Sequence, residues 1–302
     1  MLVVSLPTRG RPQKLLENVK RNMACLSRPD TILMVHTDKD DVLLTPDVIR
    51  DVLAIDPRVK VTVKEREDTL AAKWNRALRL EINATVYTCI ADDDPLVVKD
   101  TDEKILKAAE IFPDGIGMVF GDMANASFSG LISFTKKMVD LLGYIQPEHF
   151  PVWFCDHWTT DIGKITGRIV FADVRTDQSA IGENKYLREL KWWSYWFDAA
   201  YLVRRAEAYK VIDALDEPQW RKDLQRSIAP QVEAWSRFVN GDVRNRAHLF
   251  EMAAYPPDDR YWRVKKKAIA EVPAILETLP SKQAARIFGE LLVPPNTVPN
   301  LL

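Results

Sequence analysis

Thr85-Val-Tyr-Thr-Cys-Ile90 runs without a break into Ala91-Asp92-Asp93-Asp94-Pro95. A short, apolar, β-branched run of this kind reads as a buried strand, and the polar turn after it ends the strand abruptly. Three adjacent carboxylates repel one another. A chain seldom places them at the end of a core strand unless a cation neutralises them. Hard divalent ions prefer oxygen ligands, and Mg²⁺ usually needs only one or two protein carboxylates when phosphate oxygens complete its shell. Taken alone, the same residues also read as a solvated acidic turn, so the surrounding pattern has to decide.

Outward from this point, strand and helix alternate. Leu2–Leu6 is a buried strand stopped by Pro7-Thr8-Arg9-Gly10-Arg11-Pro12, and Leu15, Leu16, Val19 and Met23 predict a helix over 13–24. Thr31–His36 is a second buried strand, closed by Thr37-Asp38-Lys39-Asp40-Asp41. A short helix over 46–55, a strand over 59–63, a helix over 69–80, a helix over 101–112 and strands over 117–120 and 170–174 follow. Such alternation implies βαβ units: an α/β fold with a mostly parallel sheet and helices on both faces. Ligands on such sheets bind beyond the carboxyl ends of the strands, where the polar clusters after the first, second and Thr85–Ile90 strands all lie.

From about residue 185 the pattern becomes helical, with helices expected over 186–215, 219–240 and 265–279. The expected division is therefore an α/β domain over 1–184 and a helical C-terminal region over 185–302. Charge divides at the same place. Of 42 Lys+Arg and 43 Asp+Glu, residues 185–302 carry 19 and 15, so the first part is acidic and the second mildly basic. The overall charge of −1 excludes a general polyanion binder. Three cysteines far apart, with no CxxC pair, exclude a disulfide framework and a zinc cluster. No window approaches about 18 apolar residues, and Leu2–Leu6 is too short for a secretory signal, so a cytoplasmic protein without membrane insertion is expected.

Four segments, in order, resemble glycosyltransferases of the GT-A fold, particularly the broad family-2-like group. Residues 3–12 resemble that family's first strand and nucleotide loop, and Leu33–Asp38 its second strand with an acidic residue for the base. Leu70-Ala-Ala-Lys-Trp-Asn75-Arg-Ala77 resembles the helix that precedes the metal motif, and Ile90–Asp94 resembles the DxD motif itself. The resemblance implies a Rossmann-like GT-A domain that holds Mn²⁺ or Mg²⁺ and a nucleotide-sugar. It implies Asp94 and Asp92 as metal ligands, with Asp93 touching the ribose or the sugar. Pro7, Thr8 and Arg9 would hold the nucleotide and Asp38 its base. Arg66 and Lys73 would offer charge to the diphosphate, or else be solvated cations, and Asn75 would belong to the site or to helix packing. Many relatives carry a metal-binding His after the last core strand. Here Arg175-Thr-Asp177-Gln178 stands in that place, so Asp177 or Gln178 substitutes or the ligand is missing.

A second cluster is Trp153-Phe-Cys-Asp156-His157-Trp-Thr-Thr-Asp161. Inverting members of the family carry an acidic residue at the start of a helix that takes the proton from the acceptor hydroxyl. Asp156 fits best, with Asp161 the alternative; Asp156 could equally be a helix cap. His157 is a candidate metal or substrate contact, or a structural residue. In Lys191-Trp-Trp-Ser-Tyr-Trp-Phe197, Trp193, Trp196 and Phe197 share a core face. Trp192 and Tyr195 would stack on a sugar or base, or join a homo-oligomer contact through the C-terminal helices. Arg260-Tyr-Trp-Arg-Val-Lys265-Lys266-Lys267 mixes cations and aromatics as nucleic-acid binders do, or is a solvated helix.

The expected activity is metal-dependent, inverting hexosyl transfer from a nucleotide-diphosphate sugar, UDP-sugar favoured by family frequency. The acceptor is a glycan or a modified base in DNA. The alternatives are a nucleotidyltransferase, disfavoured by the single Gly10 in the first loop, and a non-catalytic binding protein on a degenerate GT-A fold.

Overall fold

The computed structural model describes residues 1–80, 82–121, 131–151, 153–177, 189–247 and 259–279. Among them, seven strands form one sheet: β1 (Leu2–Pro7), β2 (Ile32–Asp38), β3 (Val59–Lys64), β4 (Val86–Cys89), β5 (Met118–Phe120), β6 (Ile132–Thr135) and β7 (Ile169–Phe171). The order is β3-β2-β1-β4-β6-β5-β7. β1 pairs in parallel with both β2 and β4, β2 with β3 and β5 with β7, and β6 alone runs antiparallel between β4 and β5. The strand order reverses across β1 and β4, so their carboxyl ends open a crevice where residues 8–12 and 91–95 meet.

Helices cover the sheet: α1 (Pro12–Ala24), α2 (Pro46–Leu53), α3 (Leu70–Trp74), α4 (Thr101–Ala109), α5 (Lys136–Leu142) and α6 (Cys155–Thr166). The C-terminal helices are α7 (Leu190–Ala199), α8 (Tyr201–Ala214), α9 (Gln219–Arg246) and α10 (Asp259–Glu277). Several elements differ from expectation: α9 runs on to Arg246, α10 begins at Asp259, and β7 is limited to Ile169–Phe171. The helix expected over 69–80 is one α-helical stretch that passes into a 3₁₀ turn at Asn75–Arg79, where the Asn75 side chain binds a distant loop. The helix expected over 186–215 is broken at Ala200 (φ −76°, ψ 16°), and residues 186–188 of that expectation lie outside the described part. β6 and α5 have no counterpart in the sequence reading: a four-residue strand is too short for its alternation to register.

Two apolar clusters fill the two faces of the sheet. One combines Leu2, Val4, Leu6, Leu15, Val19, Leu33, Val35 and Ile105. The other begins at Val3 and Met34, passes through Phe134, Phe150 and Trp158, and continues into Trp193, Trp196, Phe197, Val211, Val264 and Val272. It therefore runs across position 184, and the C-terminal helices share a core with the α/β part. As expected, Trp193, Trp196 and Phe197 are core residues, each 0–1% exposed.

α6 and α8 meet through a buried ion pair. Arg204 Nε lies 2.9 Å from Asp161 Oδ2, both side chains 2% exposed. Ser236 Oγ donates to Asp161 Oδ1 at 2.6 Å, and the guanidinium stacks 3.9 Å over the ring of Phe197. Burial raises the Asp161 carboxyl pKa against the opposing pull of Arg204. Removing one partner strands a buried charge, so Arg204→Ala is expected to destabilise the protein by about 3–5 kcal/mol in urea denaturation. A loss below about 1 kcal/mol, the level of an exposed pair, would show that this pair does not hold the helical region to the sheet.

Candidate functional site

The acidic turn is built by three elements. β4 ends at Cys89, and Ile90 N bonds back to Ser5 O at 3.1 Å, which carries Asp92–Asp94 to the sheet edge beside the loop after β1. α1 holds the turn from one side: Asn18 Nδ2 donates to the Asp92 carbonyl, and Asn22 Oδ1 accepts from Leu96 N at 2.7 Å. The segment after β7 holds it from the other. Leu96 bridges Thr176, and Asp177 N donates to Pro95 O at 2.8 Å.

The loop after β1 meets these carboxylates directly. Thr8 Oγ1 donates to Asp92 Oδ2 at 2.9 Å. Arg11 Nη1 donates to Asp92 Oδ1 at 3.0 Å and to Asp93 Oδ2 at 3.1 Å. Gly10, at φ +69°, takes the left-handed turn that a side chain would resist, and its N–H donates to Asp41 Oδ2 at 2.7 Å. Asp94 is different. Its Oδ1 is buried with no hydrogen-bond partner, and burial together with repulsion from Asp93 and Asp92 pushes its pKa up to about 7. Burial also raises Asp92, with Arg11 and Thr8 opposing.

An orphaned, half-neutral carboxyl oxygen next to two more carboxylates is a donor set suited to a hard divalent cation, so the residues fit Mn²⁺ or Mg²⁺. Among the described residues, however, no three His, Cys, Asp or Glu side chains form a ready-made metal cage. Asp177 lies close enough to raise the Asp94 pKa, yet it is paired with Arg21 at 2.7 Å. Gln178 lies outside the described residues.

The residues expected around the nucleotide divide into two groups. Pro7 closes β1, Thr8 and Asp92 meet at its end, and Asp93 stands beside them on Arg11. Asp38 and Lys73 instead form a buried network beneath them. Lys73 Nζ donates to Asp38 Oδ2 at 2.8 Å and to Thr8 O at 2.6 Å, and Arg76 Nη2 donates to Asp38 Oδ1 at 2.9 Å. Arg9 Nη1 adds a bond to Asp38 Oδ2 at 3.2 Å and is tied more closely to Asp40, at 2.7 Å. With its side chain 2% exposed and both oxygens engaged, Asp38 braces the loop after β1. Burial lowers the Lys73 pKa, with the bond to Asp38 opposing. Asn75 is a packing clamp. Its Oδ1 accepts from Ile145 N and Gln146 N at 2.9 and 3.0 Å, and its Nδ2 donates to Gln146 O and Glu148 Oε1 at 2.8 and 3.0 Å.

That clamped loop leads to the second cluster. Phe154, buried and at φ +74°, turns the chain into α6, and Asp156 sits in the helix's first turn, 35% exposed at its side chain. Its Oδ1 accepts from His157 N at 2.9 Å and lies 3.0 Å from His157 Nδ1. Asp156 is thus oriented and reachable, whereas Asp161 is enclosed by Arg204 and Ser236. His157 packs against Phe154 and Phe197.

Between the loop over 66–69, the clamped loop and α10 lies a cavity of about 470 Å³, lined among others by Arg66, Glu148, His149, Arg263, Lys267 and Glu271. Burial and Lys267 push the His149 pKa down to about 4, so it faces the cavity as a neutral ring. Lys265, by contrast, is 2% exposed; it pairs with Glu189 at 2.5 Å and stacks on Trp192. Tyr195 lies under Arg244. The expected basic stripe over 260–267 is also largely neutralised: Arg263 pairs with Asp68 at 2.5 Å and Arg260 lies 3.9 Å from Asp40. Sequence reading missed Arg11, Asn18, Arg76 and Glu148, because their partners lie between 9 and 82 residues away.

No protein-family model matches the chain, and no curated protein matches it in sequence. Solved structures do. The mannosyltransferase PcManGT from Pyrobaculum calidifontis, in complex with GDP-Man and Mn²⁺, matches at a TM-score of 0.52 and 15% identity, over 97% of this chain and 87% of that one. S. aureus TarS 1–349 in complex with UDP-GlcNAc matches at 0.53 and 12%, over 96% and 88%.

The chain has the GT-A fold.

At these identities the likeness establishes architecture. Asp92–Asp94 and the loop after β1 converge at the edge formed by the ends of β1, β2 and β4. No helix among the described residues is long and apolar enough to cross a membrane.

The raised Asp94 pKa has a consequence for stability. Its folded value of about 7 exceeds its ordinary 3.8, so the native state binds the proton more tightly than the unfolded chain. Its contribution is present below about pH 4 and is lost as pH rises through about 7. With metal removed by EDTA, stability in urea is expected to fall between about pH 5 and about pH 8 by on the order of 2–3 kcal/mol, and Asp94→Asn to abolish most of that fall. An equal fall in the variant would place the titrating group elsewhere.

Proposed function

We infer that this chain is a metal-dependent glycosyltransferase that moves a hexosyl group from a nucleotide-diphosphate sugar to a hydroxyl acceptor with inversion. One observation carries the reading: at the β1/β4 crevice of a GT-A fold, Asp94 keeps a buried oxygen without a hydrogen-bond partner beside Asp92. Asp94 and Asp92 would hold Mn²⁺ or Mg²⁺. When bound, the ion supplies Lewis-acid stabilisation to the leaving diphosphate. Support for a nucleotide-sugar donor comes from the two neighbours in complex with GDP-Man and UDP-GlcNAc. UDP remains the favoured nucleotide, by family frequency.

In this mechanism the loop Pro7–Arg11 borders the nucleotide, with Lys73 and Asp38 fixing that loop from below. Asp93, at the crevice, faces the ribose or the sugar. Asp156 accepts the proton as the acceptor oxygen attacks the anomeric carbon. The bond from that carbon to the diphosphate oxygen breaks, and the pair of electrons leaves with the nucleotide. His157 orients the Asp156 carboxylate. The division of labour follows the chain: residues 1–184 carry donor chemistry, and α10 supplies one wall of the 470 Å³ cavity, where the acceptor binds. A saccharide suits that cavity better than DNA. Its cations Arg66, Arg263 and Lys267 stand among the carboxylates Glu67, Asp68, Glu148 and Glu271, Arg263 is paired with Asp68, and the neutral His149 ring favours hydroxyls over phosphates.

Asp156→Asn separates chemistry from binding. A general base contributes typically about 10²–10⁴-fold in rate. Transfer, or hydrolysis of UDP-sugars and GDP-sugars with Mn²⁺ where no acceptor is supplied, is expected to fall by about that factor, while calorimetric donor affinity holds. Normal turnover in Asp156→Asn would remove the inverting assignment. Asp94→Asn is expected to lose Mn²⁺-dependent turnover and donor binding together, and full activity in that variant would sink the metal reading.

A further inference from the structure

Arg11 is the residue whose position the expected activity leaves unexplained. We propose that Arg11 is the resident counter-ion of the DxD carboxylates and makes metal binding conditional on the nucleotide diphosphate. The proposal rests on the metal and donor reading above and adds a role that reading does not contain.

Most oxygens of Asp92 and Asp93 are already occupied. Asp92 Oδ1 accepts from Arg11 at 3.0 Å and Asp92 Oδ2 from Thr8 at 2.9 Å, while Asp93 Oδ2 accepts from Arg11 at 3.1 Å. One guanidinium therefore spans two of the three adjacent carboxylates. Among the described residues the three Asp side chains form no preassembled metal cage. Lys14 adds positive potential at both Asp92 and Asp94, and Arg21 neutralises Asp177. The cluster is close to charge balance without any ion.

A divalent cation entering alone has to break charge-assisted bonds and leave a guanidinium against a positive ion. A cation entering with the diphosphate of a nucleotide-sugar brings no net charge, with that of UDP or GDP a net negative one, and in either case the diphosphate gives Arg11 a new partner. Arginine's planar fork matches phosphate oxygens two at a time, so the exchange of carboxylate for phosphate loses little. Arg11 leads straight into α1, with Pro12 as the first helical residue, so the backbone that carries it is fixed while the side chain, 23% exposed, retains room to turn. The result is strong mutual dependence between metal and nucleotide: each binds weakly alone and tightly with the other.

The test is a calorimetric cycle on the full chain. Mn²⁺ is titrated into nucleotide-free protein, and UDP and GDP into protein with and without Mn²⁺, for wild type, Arg11→Gln and Arg11→Lys. Arg11→Gln is expected to bind Mn²⁺ alone about tenfold more tightly than wild type, because its competitor is gone, and to bind UDP with Mn²⁺ about tenfold more weakly. Arg11→Lys, which keeps the charge and loses the fork, should fall between them. An arginine that only neutralised the carboxylates would not weaken UDP binding on removal, so the paired change is diagnostic; unchanged or weaker Mn²⁺ affinity in Arg11→Gln, or unchanged UDP affinity with Mn²⁺, overturns the proposal. If Arg11→Gln fails to fold by circular dichroism, Arg11→Lys decides: Mn²⁺ affinity equal to or below wild type overturns it. If neither UDP nor GDP binds any variant, the donor reading fails, while the Mn²⁺-only arm still reports on Arg11.

Discussion

Three consecutive carboxylates at the end of a buried strand are the constraint around which this fold is arranged. At close range in a partly buried site their mutual repulsion is not screened by water, and the chain answers it in several ways at once. Arg11 and Thr8 bind Asp92, Arg11 also binds Asp93, and Asp94 is held near neutrality by a pKa pushed to about 7. Asn18 and Asn22 fix the backbone of the turn from α1. A turn that served only as a surface connection would need none of these partners. The concentration of compensating groups on one loop marks it as a place where charge is stored for use.

The support beneath the crevice follows the same logic one layer down. Asp38 takes bonds from Lys73, Arg76 and Arg9, and Lys73 also holds the Thr8 carbonyl. The network ties β2, α3 and the loop after β1 into one rigid floor. Asn75 extends the tie to the loop that carries Glu148 and His149 and leads into the helix of Asp156. The loop after β1, the cavity wall at Glu148 and His149 and the helix of Asp156 are thus connected through buried side chains.

How much of this was legible in the sequence depended on range. The α/β alternation and the turn at Asp92–Asp94 are local patterns, and the strands over 2–6, 31–36 and 85–90 lie within a residue or two of β1, β2 and β4. The core face of Trp193, Trp196 and Phe197 follows from helical spacing. Roles set by distant partners were not legible. The bond between Lys73 and Asp38 has no local signature, because the two residues stand 35 positions apart. Lys265 read as part of a basic stripe because its partner Glu189 lies 76 residues earlier. Arg11 was visible only as one more residue of a loop, since its meaning comes from carboxylates 81 and 82 residues on.

The central claim is that Asp92 and Asp94, at the β1/β4 crevice, hold a divalent cation together with a nucleoside diphosphate. Anomalous diffraction from crystals grown with Mn²⁺ and UDP tests it most directly. The account predicts one strong manganese peak bonded to Asp94 and Asp92 and to diphosphate oxygens, with the Arg11 guanidinium moved from Asp92 to the phosphates. A manganese peak elsewhere on the molecule, or UDP bound in the crevice with Arg11 still on Asp92 and no manganese beside Asp94, would contradict it.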